Sequence, residues 1–383
     1  MAENGAKRIR LGMVGGGTGA FIGYVHRIAS RLDGDYELVA GAMSSKTAVA
    51  RESGRNIGLA EDRIYTSYEE MVRKEAARPD GIQAVSIVTP NNVHFGPAKA
   101  FLEAGIHVIC DKPLTSTLED ARALAAIKPK KGAKFLLTHN YTGYPLIRQA
   151  RELVKSGALG KIRIVQAEYP QDWLTEPASP DNKQASWRTD PKRSGAGGAI
   201  GDIGTHAYNL ARFVTGLKTE AVAADLTSFV KGRKLDDNVN IMLRFQGGAR
   251  GMLWASQVAV GCENGLQLRV YGDKGSIEWR QDNPNYMWLA EFGKPRQLLT
   301  RGGAISGAAA ASMGVRIPSG HPEGYLEAFA TLYSQFAEVI RGNGKAVAGL
   351  LPSLADGVEG MEFIAASVKS SQENSRWVTF SEV

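Results

Sequence analysis

The stretch that most restricts the fold of this chain is Gly15-Gly16-Gly17-Thr18-Gly19-Ala20. It is set between an apolar run, Ile9 to Val14, and a segment of helical periodicity, Phe21 to Leu32. The spacing is G-x-G-x-x-[G/A], with Gly15, Gly17 and Ala20 at the fixed positions. Each position has a physical task. Gly15 admits a tight turn, Gly17 lets backbone N–H groups reach a pyrophosphate, and Ala20 keeps the following helix close to the strand. Thr18 and Gly19 complete the loop. A glycine-rich turn with no ligand has the same composition, so context decides. A strand before and a helix after point to dinucleotide binding.

The next segments repeat the alternation. Glu37 to Ala42 reads as a second strand, ending in Met43-Ser44-Ser45-Lys46. An acidic residue here would hold the ribose 2′-hydroxyl of NAD and repel the extra phosphate of NADP. Ser44 and Ser45 can bond either form, and Lys46 can meet a 2′-phosphate, so these residues leave both cofactors open. Ala84 to Val88 is a third strand and runs into Thr89-Pro90-Asn91-Asn92-Val93-His94. A polar turn at the carboxyl edge of a parallel sheet is where ligands bind. The helix Pro97 to Ala104 follows, then the strand Ile106 to Cys110 and the turn Asp111-Lys112-Pro113. Phe135 to Thr138 is a further strand, with His139-Asn140-Tyr141 just past it. Strands alternating with helices over short connections predict a doubly wound parallel sheet. Lys112, at the end of a buried strand, stands out chemically, although most lysines in turns are simply solvated.

From Lys161 the texture changes. After a helix, Arg148 to Ser156, the stretches Ile162–Glu168, Ala221–Val230, Val239–Phe245, Gly251–Val258, Leu266–Tyr271 and Gly275–Trp279 all read as strands. Turn signals rather than helices separate most of them, which predicts a large, mainly antiparallel sheet. One face of such a sheet stays open to subunit contacts. Later come a Gly/Ala/Ser-rich stretch, Thr300 to Ser312, suited to a lid or an arm, and an amphipathic helix opened by His321-Pro322-Glu323-Gly324-Tyr325. A helix from Ser353 to Ser371 and a strand from Trp377 to Phe380 close the chain. At 383 residues two domains are expected. We divide the chain into a dinucleotide-binding domain, 1–139, and a substrate-binding and oligomerisation domain, 140–383.

In the second half, Gly201-Asp202-Ile203-Gly204-Thr205-His206 carries the chemistry. Asp202 and His206 are four residues apart, so in a helical turn they share one face. A carboxylate and an imidazole there can handle one substrate hydroxyl. The plainer alternative is a helix N-cap and a packed histidine. A long loop upstream holds Tyr169, Gln171, Asp172, Trp173, Trp187 and Arg188. Aromatic rings beside polar side chains suit a sugar or polyol, though tryptophans also anchor long loops.

The formal charge of +7 is spread evenly, without the basic stripe of a nucleic-acid binder. Cys110 and Cys262 are far apart and read as free thiols of a cytoplasmic protein. No metal-type spacing is present, and no metal is expected. The polar start is not a signal peptide, and no apolar run is long enough to span a membrane.

In these motifs, taken together and in order, the chain resembles the Gfo/Idh/MocA oxidoreductases over nearly its whole length. The matching residues are Gly15–Ala20, Thr89-Pro90-Asn91-x-x-His94, Asp111-Lys112-Pro113 and Asp202-Ile203-Gly204-Thr205-His206. Gly19 to Gly23, Gln171-Asp172-Trp173-Leu174 and Gly201 to Asn209 look most like the branch acting on inositols, L-glucose and levoglucosan. The resemblance implies an NAD(P)-dependent dehydrogenase of a cyclic polyol or sugar, assembled as a dimer or tetramer through the open sheet. It implies that Lys112 binds the reacting hydroxyl beside the nicotinamide, that Asp202 binds the same region of substrate, and that His206 is the general base. Asn91 and His94 match positions near the cofactor. Asp111 stands where the family more often has glutamate. Asn140, Tyr141, Gln171, Trp173 and Arg188 join Asp202 and His206 as expected substrate contacts. Two other classes share the motifs in part. One is an NAD-dependent glycoside hydrolase using transient oxidation; the other is a sugar-sensing regulator, which would have no need of lysine, aspartate and histidine together.

Overall fold

The computed structural model describes residues 7–179, 181–303 and 309–383. The chain divides into two compact units, 1–140 with 329–358, and 141–328 with 359–383. Sequence places one continuous cut after residue 139. The difference lies in Phe329–Val358, which returns to the first unit because its apolar side chains are buried there.

The first unit is built from strands alternating with helices, with two helices in succession between its second and third strands. They are β1 (Ile9–Gly15), α1 (Phe21–Leu32), β2 (Tyr36–Ala42), α2 (Thr47–Asn56), α3 (Tyr68–Ala77), β3 (Ala84–Val88), α4 (Phe95–Ala104), β4 (His107–Cys110), α5 (Leu118–Ala125) and β5 (Phe135–Leu137). The sheet order is β2-β1-β3-β4-β5, parallel throughout. Helices cover both faces, so β3 is buried at every residue and reads as a continuous apolar run rather than an alternating one. Connections leave β1 to β2 on one side and reach β3 on the other, which opens a crevice at the carboxyl ends of β1 and β3. The returning segment is tied in by polar contacts. Tyr333 lies against His26 (2.8 Å) and Ser86 (2.9 Å), the Tyr36 hydroxyl donates to the Tyr333 carbonyl, and Leu137 N–H donates to the Pro352 carbonyl. Burial pushes His26 down to about 4, so it sits neutral inside this cluster.

The second unit carries α6 (Pro145–Lys155), β6 (Ile162–Pro170), α7 (Lys183–Arg188), α8 (Pro191–Ser194), α9 (Thr205–Thr215), β7 (Thr219–Thr227), β8 (Asn238–Phe245), β9 (Arg250–Ser256), β10 (Gln267–Gly272), β11 (Gly275–Arg280), β12 (Tyr286–Glu291) and β13 (Gln297–Thr300). The remaining elements are α10 (Ala309–Ser312), α11 (Tyr325–Ile340), α12 (Leu354–Gln372) and β14 (Val378–Thr379). The nine-stranded sheet runs β13-β12-β11-β10-β6-β9-β8-β7-β14, and its one parallel pair is β6 with β9. Strands alternate buried and exposed along β8 and β9, the signature of a sheet covered on one face. α6 and α9 provide that cover.

Three departures from the sequence-based elements have local causes. β12 and β13 extend the sheet beyond Trp279; β13 has four residues, too few to show a period, while Tyr286–Leu289 of β12 does alternate exposed and buried. The last strand shrinks to Val378–Thr379, paired with Ala221 and Val222. α11 starts at Tyr325, not His321, because Glu323 is buried and turns its carboxylate onto the N–H groups of Arg316 and Ile317. His321 is exposed, and its carbonyl accepts from Arg301. Of the stretch read as a lid or arm, residues 304–308 lie outside the described residues. Both cysteines are free, and no described helix is long and apolar enough to cross a membrane.

Candidate active site

In the first unit the glycine fingerprint sits at the end of β1. Gly15, Gly16 and Gly19 all adopt positive φ, which L side chains rarely take. Gly17 does not, and its requirement is space. A Cβ there would lie 2.7 Å from the Met43 carbonyl oxygen and 2.9 Å from Ser53 Oγ. Ser53 holds the loop by accepting from Thr18 N–H (3.0 Å) and bonding its hydroxyl (3.1 Å). Close packing of α1 on the loop depends on a residue sequence did not single out. Gly23 lies so near Gly16 that a Cβ would stand 2.3 Å from the Gly16 Cα. Ala20 instead occupies the extended N-cap position of α1.

This cradle fits a dinucleotide. The first turn of α1 has no acidic side chain and no side-chain cap, so its N–H groups face outward for an anion. The Thr89 Oγ1 is buried and has no hydrogen-bond partner among the described residues. Its carrier strand is paired with the fingerprint strand, Val88 opposite Gly15. At the end of β2, Ser44 Oγ accepts from Lys46 N–H (3.1 Å), and Ser45 and Lys46 are exposed.

The second ligand edge of this unit is the turn after β4. Asp111 Oδ1 accepts from the N–H of Lys112 (2.9 Å) and from the Thr138 hydroxyl (3.1 Å), so it fixes the turn on which Lys112 stands. His94 is a brace rather than an open ligand. It is fully buried, with Nδ1 at 2.8 Å from the Pro113 carbonyl and Nε2 at 2.9 Å from the Thr89 carbonyl. It thus joins the turns carrying Thr89 and Lys112. Asn91 is buried at the start of the same turn, just past Pro90. His139 is pushed down to about 4, first by burial and then by the Lys112 ammonium. Asn140 is buried, with no partner for its Nδ2 among the described residues.

In the second unit, Asp202 lies in a wide π-type turn, Ile200–Gly204, that runs directly into α9. It caps nothing. Its Oδ2 accepts from Arg188 Nε at 3.0 Å and from Gln257 Nε2 at 2.9 Å. Arg188 is itself held by Gln184 and lies over the rings of Trp187 (4.3 Å) and Trp173 (5.7 Å). His206 follows in the first turn of α9, buried, with its ring 4.8 Å from that of Tyr141 in an edge-on contact. The Tyr141 and Tyr169 hydroxyls bond each other, and burial pushes Tyr141 up to about 12, so it stays protonated. Trp173 donates to Gln171, which donates to Asn264, which donates to Gln281 (3.0, 2.7 and 2.6 Å). Loop anchoring and site building are therefore one network here: Trp173 is 39% exposed while its indole N–H is already fixed.

The structure thus gathers Asp202, Arg188 and the Trp173 ring, and sets His206 against the Tyr141 and Tyr169 rings, both of which feel the Asp202 charge. Sequence did not reveal Gln257, Asn264 or Asp236, which accepts the Gly198 and Ile200 N–H groups. No motif marks them; their partners are set by sheet register.

Fold and site together define a two-unit oxidoreductase with an NAD-binding Rossmann unit. Residues 9–139 match the model of the oxidoreductase family with an NAD-binding Rossmann fold, and residues 147–278 match the GFO/IDH/MocA C-terminal domain. The chain belongs to the Gfo/Idh/MocA oxidoreductase family. An oxidoreductase from Sinorhizobium meliloti is 54% identical, with TM-score 0.89 over 98% of this chain and 100% of that one. An inositol dehydrogenase homolog from Azotobacter vinelandii, solved with NADH and myo-inositol, is 38% identical with TM-score 0.90, covering 98% of both chains. Levoglucosan dehydrogenase of Pseudarthrobacter phenanthrenivorans is 30% identical over 74% of this chain and 76% of its own.

Proposed function

We propose that the protein oxidises a secondary hydroxyl of a cyclic polyol or sugar, of the inositol, L-glucose or levoglucosan kind, to a ketone. The observation that carries this is the Asp202 carboxylate, held by Gln257 and by the Arg188 that lies over the Trp187 and Trp173 rings, one helical turn before a buried imidazole. Likeness along the whole chain to a protein solved with NADH and myo-inositol supports it. The Arg188 charge is matched by Asp202, and the surrounding Tyr, Trp, Gln and Asn groups are uncharged, which suits a neutral polyol.

When bound, NAD supplies the hydride acceptor. The chain supplies the rest. Backbone N–H groups of the fingerprint and α1 hold the pyrophosphate. The Lys112 ammonium holds the reacting hydroxyl and offsets its negative charge as the proton leaves. His206 takes that proton, since an imidazole exchanges protons near neutrality. Asp202 orients the neighbouring hydroxyl.

The open face of the large sheet exposes Met242 (54%) and Met252 (55%), directly paired across β8 and β9, with Ile164, Trp288 and Leu298 also exposed on β6, β12 and β13. A second copy covers this face in a dimer or tetramer, and sedimentation of the purified protein is expected to show no monomer. Function is tested by screening inositols, L- and D-sugars and anhydrosugars with NAD and NADP. NADH is expected to accumulate with at least one cyclic polyol. Sugar release without NADH would overturn this in favour of glycoside hydrolysis.

A further inference from the structure

The loop carrying Asp202 and His206 is gripped by a carboxylate that the proposed chemistry does not use. Asp236, buried just before β8, takes three consecutive amides of that loop. Its two carboxylate oxygens accept from Gly198 N–H (2.7 Å) and Ile200 N–H (2.8 Å), and its carbonyl accepts from Ala199 N–H (2.9 Å). The approach is so close that a Cβ on Gly198 would lie 2.1 Å from the Asp236 carbonyl oxygen. From there the order passes on, since the Asp202 N–H donates to the Gly198 carbonyl (2.9 Å). The next residue reaches the same place by a second route. The Asp237 carbonyl accepts from Gln257 N–H (2.8 Å), and the Gln257 side chain holds Asp202.

We propose that Asp236 is a positioning residue of the active site: its carboxylate, by holding the Gly198 and Ile200 amides, places Asp202 and His206, and the site loosens when that carboxylate takes up a proton. This rests on Asp202 and His206 being the working pair.

Burial raises Asp236 to about 6, against the lowering effect of the two amides, and the neighbouring Asp237 charge adds to the rise. Asp237 is paired with Arg233, and Lys234 stands beside the 210 Å³ recess that borders Asp236. The residues of β7 and α12 lining that recess bring no charge: Leu226, Thr227, Val368, Ser371 and Gln372. A raised acid pKa means the folded chain binds this proton more readily than the unfolded chain does. Protonation as pH falls through about 6 therefore does not unfold the protein through this group. It is local. The protonated carboxyl keeps one acceptor oxygen and turns a hydroxyl toward the other amide, so one of the two bonds is lost.

Asp236→Asn imitates the protonated state, with an NH₂ facing an N–H. Above the titration its kcat/KM is expected to be about tenfold or more below wild type, as for a misplaced catalytic group. NADH affinity should stay within about twofold, because the fingerprint lies in the other unit. The ratio of wild-type to variant activity should fall toward one as pH drops below about 6, which a merely structural defect would not produce. Amide exchange of the peptide 195–206 should be faster in the variant. In the wild type alone it should show extra opening below the same pH, a measurement that needs no variant to fold. A ratio independent of pH, or a peptide whose opening ignores both the substitution and the pH, would overturn the clamp. If the wild type turns over no polyol, the proposed function fails and amide exchange alone decides the clamp.

Discussion

His206→Asn is expected to lower kcat by about a thousandfold while NADH still binds. A positioned general base contributes about 10²–10⁴ in rate, and asparagine keeps the polar volume beside Tyr141 but cannot take up the proton. Lys112→Ala should cost a similar factor, because an ammonium aimed at developing negative charge in a water-poor site contributes about 10²–10³. The double variant should be little slower than either single one, since both groups serve the same proton-coupled step and such losses do not add. Steady-state kinetics, NADH fluorescence titration and thermal melts separate the effects. A chemical role predicts lost kcat with a nearly unchanged nucleotide dissociation constant. His206 has its ring against Tyr141 and Tyr169, so a small fall in melting temperature accompanies its replacement without accounting for the rate. Full activity in both variants would remove the roles assigned to them.

The second large effect is expected from Gly17→Val, which should weaken NADH binding by at least about a hundredfold. Its φ is ordinary, so the substitution meets no backbone strain. The obstacle is the space a Cβ would enter, 2.7 Å from the Met43 carbonyl and 2.9 Å from Ser53 Oγ. A serine hydroxyl can rotate away, but a strand-end carbonyl cannot. The loop must therefore shift, which costs about 1–3 kcal/mol of stability. It also carries the amides away from the pyrophosphate. Gly17→Ala is the graded control, with the same direction and a smaller loss. Nucleotide binding measured on the intact protein, with folding monitored by circular dichroism, decides between a blocked cradle and an unfolded unit. NADH affinity equal to wild type in the valine variant would show that the nucleotide does not approach Gly17.

Much of the first unit was legible in the chain. Phe21–Leu32 and Ala84–Val88 appear in the structure with the boundaries their periodicity and composition set, because a fully buried strand and an amphipathic helix are each marked by their own side chains. The antiparallel texture after Lys161 was legible for the same reason. β12 and β13 were not recognised: β13 is a four-residue edge strand too short to show a period, and β12 was passed over although Tyr286–Leu289 alternates exposed and buried. Of the site, the motif residues stood out, but what they do locally did not. Ala20 read as the close-packing residue and Gly23 performs that task. His94 read as a cofactor neighbour, and both of its nitrogens face protein carbonyls. Asp202 admitted a capping role, and its carboxylate instead holds Arg188 and Gln257.

The sequence by itself determined a parallel α/β unit with a glycine cradle, a second sheet-rich unit, and the residue types available for hydride-transfer chemistry. These are recorded in properties of short range: the period of apolar side chains, the φ freedom of glycine and the spacing of a motif. Only the tertiary structure decided that Phe329–Val358 joins the nucleotide unit, that Gln257 orients Asp202 across 55 residues of chain, and that Asp236 grips the Gly198–Ile200 amides. Such partners are chosen by strand register and by which loop a sheet edge brings near. No local period encodes them, because a hydrogen bond between distant residues depends on where every intervening element has packed.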